Sequence, residues 1–482
     1  MRDGAPLTTV FWRNVAILIA LLGIFYAFFS RVALHAFPFS GDEYSYFLQA
    51  ELFARGRLRA PAPPHPELLR VDHVIIDDWV RSKYPPGTSA LLSFGVRWGA
   101  AWLVTPIEGM VALIAMGTAA RRLLCDRDAL IVVALLGAAP LFAFQAGSFF
   151  SHTATTMWLS IAFAAVVAWS CDGRSVRLVV GGAAIGCALL TRPLDALLFC
   201  VALVSLRSVR ALALTAAGAA PFVILHFAYQ AAQFGSPFVD GYAAYAPTFR
   251  AIYGASAASS PLSIAHVFTG LQPWNHLDVI RALLIDWTVP GTGLLAVLGY
   301  VALRDDPRTL RARRFAASVV AVFVLSLFVT IADTDDGARP RYLSTTLLPL
   351  AWLAAPGWRV AGEFLEQRLG CVTRRIVGVV VWLLAPLQLA AFLFVRTPLI
   401  EIRQGLEVAV KQAGVEEGVV IVRARYPTRY ARNGPFFERA VLYVSAPVTS
   451  SADDIAAAFP GRPVYEAREM GKGEDWSLVR LR

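Results

Sequence analysis

The feature that most limits what this chain can fold into is a series of apolar runs, each close to twenty residues long and separated by short arginine-bearing loops. A membrane-spanning helix needs roughly 20 consecutive apolar residues. On that rule about eleven spans are expected, near 11–36, 102–120, 128–146, 152–170, 176–190, 194–206, 209–231, 281–303, 315–332, 342–358 and 375–396. The fifth and sixth are short and joined by LLTRPLDALL, which suits a tight hairpin. Composition agrees. Of 482 residues, 57% are hydrophobic and only 16% charged, against about 25% charged in soluble domains. The expected class is an all-α polytopic membrane protein. Its first span has no small-residue cleavage site after it and reads as a retained signal-anchor.

A net charge of +10 raises nucleic acid as a partner, but its distribution points elsewhere. The arginines gather in RRLLCDRD, CDGRSVR, RSVR, RDDPRTLRARR and the 359–375 segment, which become cytoplasmic loops if the N-terminus lies inside. The opposite loops are poor in positive charge or acidic, as in ADTDDGARPRY. This is the positive-inside pattern. It places 38–101, 234–280 and the tail after about 400 outside the cytoplasm. The five cysteines fall in spans or cytoplasmic loops, so neither disulfides nor a zinc motif are expected.

The layout is therefore 1–399 as the membrane body and 400–482 as a small extracytoplasmic α/β domain. In the tail, EEGVVIVRARY, AVLYVSAP, PVYEARE and WSLVRLR read as strands, with SADDIAAAF a helix capped by Ser450 or Ser451.

Chemistry concentrates in two places in the first loop. In FPFSGDEYSYFLQAELFARGRL, Ser40 and Glu43 form a capping box, opening a helix that Gly56 closes. Tyr44, Phe47, Leu48 and Leu52 share one face opposite Glu51 and Arg55, which predicts an amphipathic helix on the outer membrane surface. Capping accounts for Glu43 and leaves Asp42 without a structural task. In IIDDWVRSKYPPGTSALLSFG, Lys83 stands before Tyr84, Pro85 and Pro86, on stiff extended chain. It is either a snorkelling lysine or one aimed at a phosphate.

An acidic pair after the first span, a long outer loop with a helix, and a Lys-Tyr-Pro-Pro-Gly turn into the second span resemble the GT-C glycosyltransferases. The likeness is to the branch with bacterial protein O-mannosyltransferases, lipid A aminoarabinose transferases and rhizobial galacturonosyltransferases. Its layout covers roughly 1–400 and its specific motifs about 38–95. The resemblance implies transfer of a sugar from a polyprenyl-phosphate donor to an extracytoplasmic glycolipid, envelope polysaccharide or protein, with inversion. It implies Asp42, beside Glu43, as the catalytic carboxylate and Lys83 as the donor-phosphate contact. Tyr84 stands where several relatives have proline directly after lysine.

Such a reaction needs a carboxylate for the acceptor proton and cations for the departing phosphate. Arg339 and Arg341, with Tyr342, are further phosphate-binding candidates, unless the arginines pair with Asp333, Asp335 and Asp336. Arg192 and Asp195 either pair with each other or line the donor pocket. His152 reads as an interface histidine or a base, and Asp78 as a weaker substrate contact. No calcium-loop spacing occurs, so no metal is assigned, although acids such as Asp77 could hold a divalent cation. The alternative class is a transporter or flippase of a lipid-linked or polar solute. Against it, the suspicious charges collect at the outer surface, whereas transporters place them mid-membrane. A non-catalytic assembly protein that keeps the fold is the third reading.

Overall fold

The computed structural model describes residues 9–253, 281, 287–326, 339–445, 451–471 and 475–482. The chain divides into two compact units, each built from three separated stretches.

The first unit comprises Met1–Val32, Thr105–His226 and Pro261–Phe392, and its described elements are all helices. Among the described residues, five helices are long and apolar enough to cross a membrane: Val10–Ala33, Ala101–Leu123, Ser151–Asp172, Val209–Phe234 and the apolar part of Arg341–Ala391. A bent pair, Asp126–Gly137 and Pro140–Gly147, angled at 62°, makes a sixth. Shorter apolar helices cover Ser175–Thr191, Pro193–Leu206 and Thr292–Ala302. The first two break at Arg192, where Pro193 cannot continue the preceding helix, and pack against each other.

Backbones approach closely where side chains are smallest. A β-carbon on Gly299 would lie 1.8 Å from the Leu353 carbonyl oxygen, and one on Gly357 1.9 Å from that of Leu295. This is the small-residue packing through which membrane helices associate.

The 359–375 segment differs from expectation. It is helical, not a loop, and Leu347–Gln412 departs from helical geometry only at Gly370, with φ 85° and ψ 163°. Ala361 to Leu369 are mostly strong helix formers, so the helix outlasts its apolar part.

The second unit comprises Ala33–Val104, Phe227–Ser260 and Leu393–Arg482. Its first stretch carries the helix Gly41–Ala54, the helix Pro86–Arg97 and three short strands: β1 (Ala60–Pro61), β2 (Val74–Ile76) and β3 (Trp79–Ser82). They form an antiparallel sheet ordered β1-β3-β2, with Asp77 and Asp78 as the hairpin turn. This sheet was not anticipated, because its strands are too short to show alternation.

Helix Gly41–Ala54 is not a surface-lying amphipathic helix. Eight of its fourteen residues are buried, among them Glu43, Tyr44, Ser45, Tyr46 and Gln49. Its polar side chains are used internally. The Ser45 hydroxyl donates to the His73 carbonyl at 2.7 Å, while Gln49 accepts from the Ser82 N–H at 3.0 Å and donates to the Leu58 carbonyl at 2.7 Å.

The tail adds β4 (Gly418–Arg423), β5 (Val441–Val444), the helix Ala452–Ala458 capped by Ser451, β6 (Val464–Met470) and β7 (Asp475–Arg480). The sheet order is β5-β4-β6-β7, parallel except for the last pair. These strands fall on the four runs read from the sequence.

The tail sheet shares its cores with the first stretch. Leu69 packs among Val419, Ile421, Val444, Ile455 and Val464. Phe436 and Phe437 pack against Tyr44, Leu48 and Leu52. Hydrogen bonds reinforce the join: the Gly434 N–H donates to the Tyr44 hydroxyl at 2.9 Å, and the Ser445 N–H to the Leu68 carbonyl at 2.9 Å.

Candidate functional site

The site is built outward from the N-terminus of helix Gly41–Ala54. Ser40 accepts from the Glu43 N–H at 3.1 Å, and Glu43 returns its carboxylate to the Ser40 N–H at 3.0 Å. Both halves of the capping box are closed and Glu43 is fully buried. Glu43 holds the helix start, and Asp42 is the acid left at the surface of this turn.

Asp42 keeps 19% of its side chain exposed and lies 3.3 Å, through Oδ1, from His73 Nε2. The same oxygen accepts the Tyr84 hydroxyl. Burial and the adjacent carboxylate hold the Tyr84 phenol well above its ordinary pKa, so it remains a donor to Asp42 at neutral pH. His73 has a left-handed backbone, φ 63°, and its N–H donates to the Tyr245 hydroxyl at 3.0 Å. A β-carbon on Gly41 would come within 2.9 Å of the His73 ring. Only glycine therefore leaves room for that ring beside Asp42.

Lys83 follows the last residue of β3, one residue before Tyr84. It is buried, and its ammonium sits 5.0, 4.7 and 4.9 Å from the ring centres of Tyr84, Tyr242 and Tyr245. These distances are in the cation–π range. Tyr242 and Tyr245 are three residues apart on helix Gly241–Tyr253 and so share a face. That helix abuts Lys83 through Gly241, whose absent β-carbon would lie 1.8 Å from the Lys83 carbonyl oxygen.

Burial lowers the Lys83 pKa to about 8, with Asp42 and Asp72 opposing the fall. Any phosphate contact by Lys83 therefore requires its protonated form. If Lys83 meets a donor phosphate, as the resemblance implies, donor KM should rise as pH passes upward through about 8, and Lys83→Arg should remove this inflection because arginine stays protonated. The stability signature has the opposite sign. The unfolded lysine binds more protons than the folded one from about pH 8 up to its model value of 10.5, so stability rises with pH across that window. On the same reading, Lys83→Ala should raise donor KM by about tenfold, as expected for the loss of one charge-assisted contact. Acceptor KM should stay within about twofold, a change worth less than 0.5 kcal/mol. Equal shifts in both would leave Lys83 with a purely structural role.

Asp78 is exposed on the hairpin turn, while Asp77 beside it pairs with Arg81. In the first unit, His152, Arg192, Asp195, Arg341 and Tyr342 form a cluster of their own. Arg192 and Asp195 pair with each other. The Arg192 and Arg341 guanidinium carbons lie 5.6 and 5.3 Å from the Tyr342 ring centre, and His152 stacks edge-on to that ring at 6.3 Å. Neither ring nitrogen of the buried His152 has a hydrogen-bond partner among the described residues. The Arg339 side chain and Asp333, Asp335 and Asp336 lie outside the described residues. No three carboxylate, histidine or cysteine side chains converge as a metal site among the described residues.

Sequence reading missed His73, Tyr242 and Tyr245, all brought in by folding. The signal for the tyrosines was their three-residue spacing in DGYAAYAPTF. Nothing local marks His73.

A multi-pass helical body with an acid-bearing first loop is the layout of the GT-C fold, and the chain has that fold. It is similar to the crystal structure of ArnT from Cupriavidus metallidurans bound to undecaprenyl phosphate, with a TM-score of 0.57 and 12% identity over 94% of this chain and 93% of that one. The apo form of the same protein gives 0.58 and 13%, over 94% and 92%. An oligosaccharyltransferase from Archaeoglobus fulgidus, in complex with zinc and sulfate, gives 0.52 and 12%, over 93% and 68%. No family model matches the chain, and no curated protein matches it.

Proposed function

We propose that this chain is an integral membrane glycosyltransferase that moves a sugar from a polyprenyl-phosphate donor to an extracytoplasmic acceptor, with inversion. The observation that carries the reading is a half-open carboxylate, Asp42, held by Tyr84 and His73 at a helix start, in a chain with the fold of ArnT along 94% of its length. That relative was crystallised with undecaprenyl phosphate, which supports the same class of donor here.

In the proposed reaction Asp42 takes the proton of the acceptor hydroxyl as its oxygen bonds to the anomeric carbon. The bond from that carbon to the phosphate oxygen breaks, and polyprenyl phosphate leaves with the electron pair. Lys83 offsets the charge growing on that phosphate. The N-terminus is placed in the cytoplasm and the Asp42 loop outside, following the basic-loop pattern.

The direct test incubates the purified full chain, in phosphatidylcholine nanodiscs, with undecaprenyl-phosphate-linked sugars and candidate acceptors. Release of undecaprenyl phosphate with transfer of the sugar is the expected result. Consumption of a nucleotide sugar instead would overturn the donor assignment. Solute movement into proteoliposomes without bond cleavage would favour the transporter.

A further inference from the structure

The second unit holds a cavity of about 200 Å³ that the proposed chemistry does not use. Its lining includes Arg403, Arg425, Arg429, Tyr426, Tyr430 and Glu469. Three arginines thus line the cavity with one carboxylate, and a second carboxylate, Asp72, lies beside Arg429. Glu469 is already engaged, accepting from the Tyr430 hydroxyl at 3.3 Å and from the Arg425 main-chain N–H at 3.4 Å.

The arginines lie within cation–π reach of rings. Arg403 lies 5.7 Å from the centre of Tyr430, while Arg425 and Arg429 lie 5.3 and 4.4 Å from that of Tyr426. A guanidinium beside a ring keeps N–H edges that can bind an oxyanion in a forked geometry. Neither Arg403 nor Arg425 has an ion pair among the described residues. Like charges gathered around one cavity repel unless an anion fills it.

The cavity is also tied to the Asp42 cluster. Arg429 Nε lies 3.7 Å from Asp72, which accepts the Thr428 hydroxyl as well. Asp72 directly precedes His73, whose ring lies 3.3 Å from Asp42.

We propose that this cavity binds a phosphate-type oxyanion carried by the acceptor, anchoring it in register with Asp42. The proposal rests on the glycosyltransferase reading for the word acceptor, but the binding itself does not depend on it. The occupant's phosphate has two sources, a lipid headgroup or a non-lipid envelope molecule.

The test uses the full chain in phosphatidylcholine nanodiscs, with inorganic phosphate and pyrophosphate titrated by calorimetry. Both should bind, and Arg403→Gln with Arg425→Gln should weaken binding by about tenfold or more, as expected for lost charge-assisted bonds. Arg425→Gln alone, at an exposed side chain, gives a smaller loss without endangering the fold. Asp42→Asn should bind as the wild type does. Repeating the titration in phosphatidylglycerol nanodiscs separates the sources. Weakened phosphate binding there supports the proposal with a lipid headgroup as carrier, and unchanged binding supports it with a non-lipid carrier. No binding in either disc, or binding unaffected by the arginine changes, overturns it. No sugar transfer is measured, so failure here leaves the glycosyltransferase reading standing. An inactive enzyme, conversely, leaves this site measurable.

Discussion

Asp42→Asn should lower sugar transfer by about a thousandfold, within the range lost when a positioned general base is removed, while the protein stays folded and inserted. The isosteric amide can still accept the Tyr84 hydroxyl through its oxygen, so the contact that positions this turn survives. What disappears is the negative charge and the capacity to take a proton. The matched control is Glu43→Gln. Glutamine at this position preserves a capping box, and the Glu43 carboxylate already serves the Ser40 N–H. Transfer in Glu43→Gln should stay within about threefold of wild type, a change of under 1 kcal/mol. Initial rates with an undecaprenyl-phosphate sugar, beside thermal unfolding of each variant, separate the two acids. Substantial activity in Asp42→Asn, or an equal collapse in Glu43→Gln, would remove Asp42 from the chemistry.

That Glu43 is taken up by the helix cap was legible from local spacing. Ser40 and Glu43 are three residues apart, and the capping box forms within one turn, so its signature is contained in four letters. The tail strands were legible for the same reason, being runs of β-branched and aromatic residues between turn formers. The partners of Asp42 were not. Tyr84 is forty-two residues away and was marked only as standing where several relatives have proline; it is the residue that donates to Asp42. His73 enters through a left-handed backbone that sequence does not advertise. The helix Gly41–Ala54 was misjudged because the apolar face read from Tyr44, Leu48 and Leu52 is real but only part of what is buried. Ser45 and Gln49 are satisfied by main-chain groups of the hairpin and of Leu58, and no periodicity rule anticipates polar residues recruited in that way.

The largest effect on stability is expected at Arg432, outside every motif. It is 4% exposed, and its guanidinium donates to the carbonyls of Pro38, at 2.5 Å, and Phe39, at 3.2 Å. It also lies 4.4 Å from the ring centre of Phe37 and 5.4 Å from that of Tyr44. Residues 37–39 lead directly into the Ser40 cap, so a side chain from the tail fixes the entry of the helix that presents Asp42. Burial pulls the Arg432 pKa down to about 10, with Glu407 the main opposing influence. It therefore stays charged at neutral pH and the desolvation is met by the two carbonyls and the rings. Arg432→Met would fill most of the volume and leave both carbonyls without this donor, at a cost of about 2–4 kcal/mol for one buried and one part-buried acceptor. Hydrogen exchange should then show faster amide exchange along residues 41–54, and transfer should fall with it although no group touching substrate has changed. Arg432→Lys, keeping the charge but not the fork that reaches two carbonyls, should lie between. If Arg432→Met unfolds at the wild-type temperature and the 41–54 amides stay protected, the tail is a passenger on this unit. If it behaves as expected, the acid that does the proposed chemistry is aimed by a residue almost four hundred positions later in the chain.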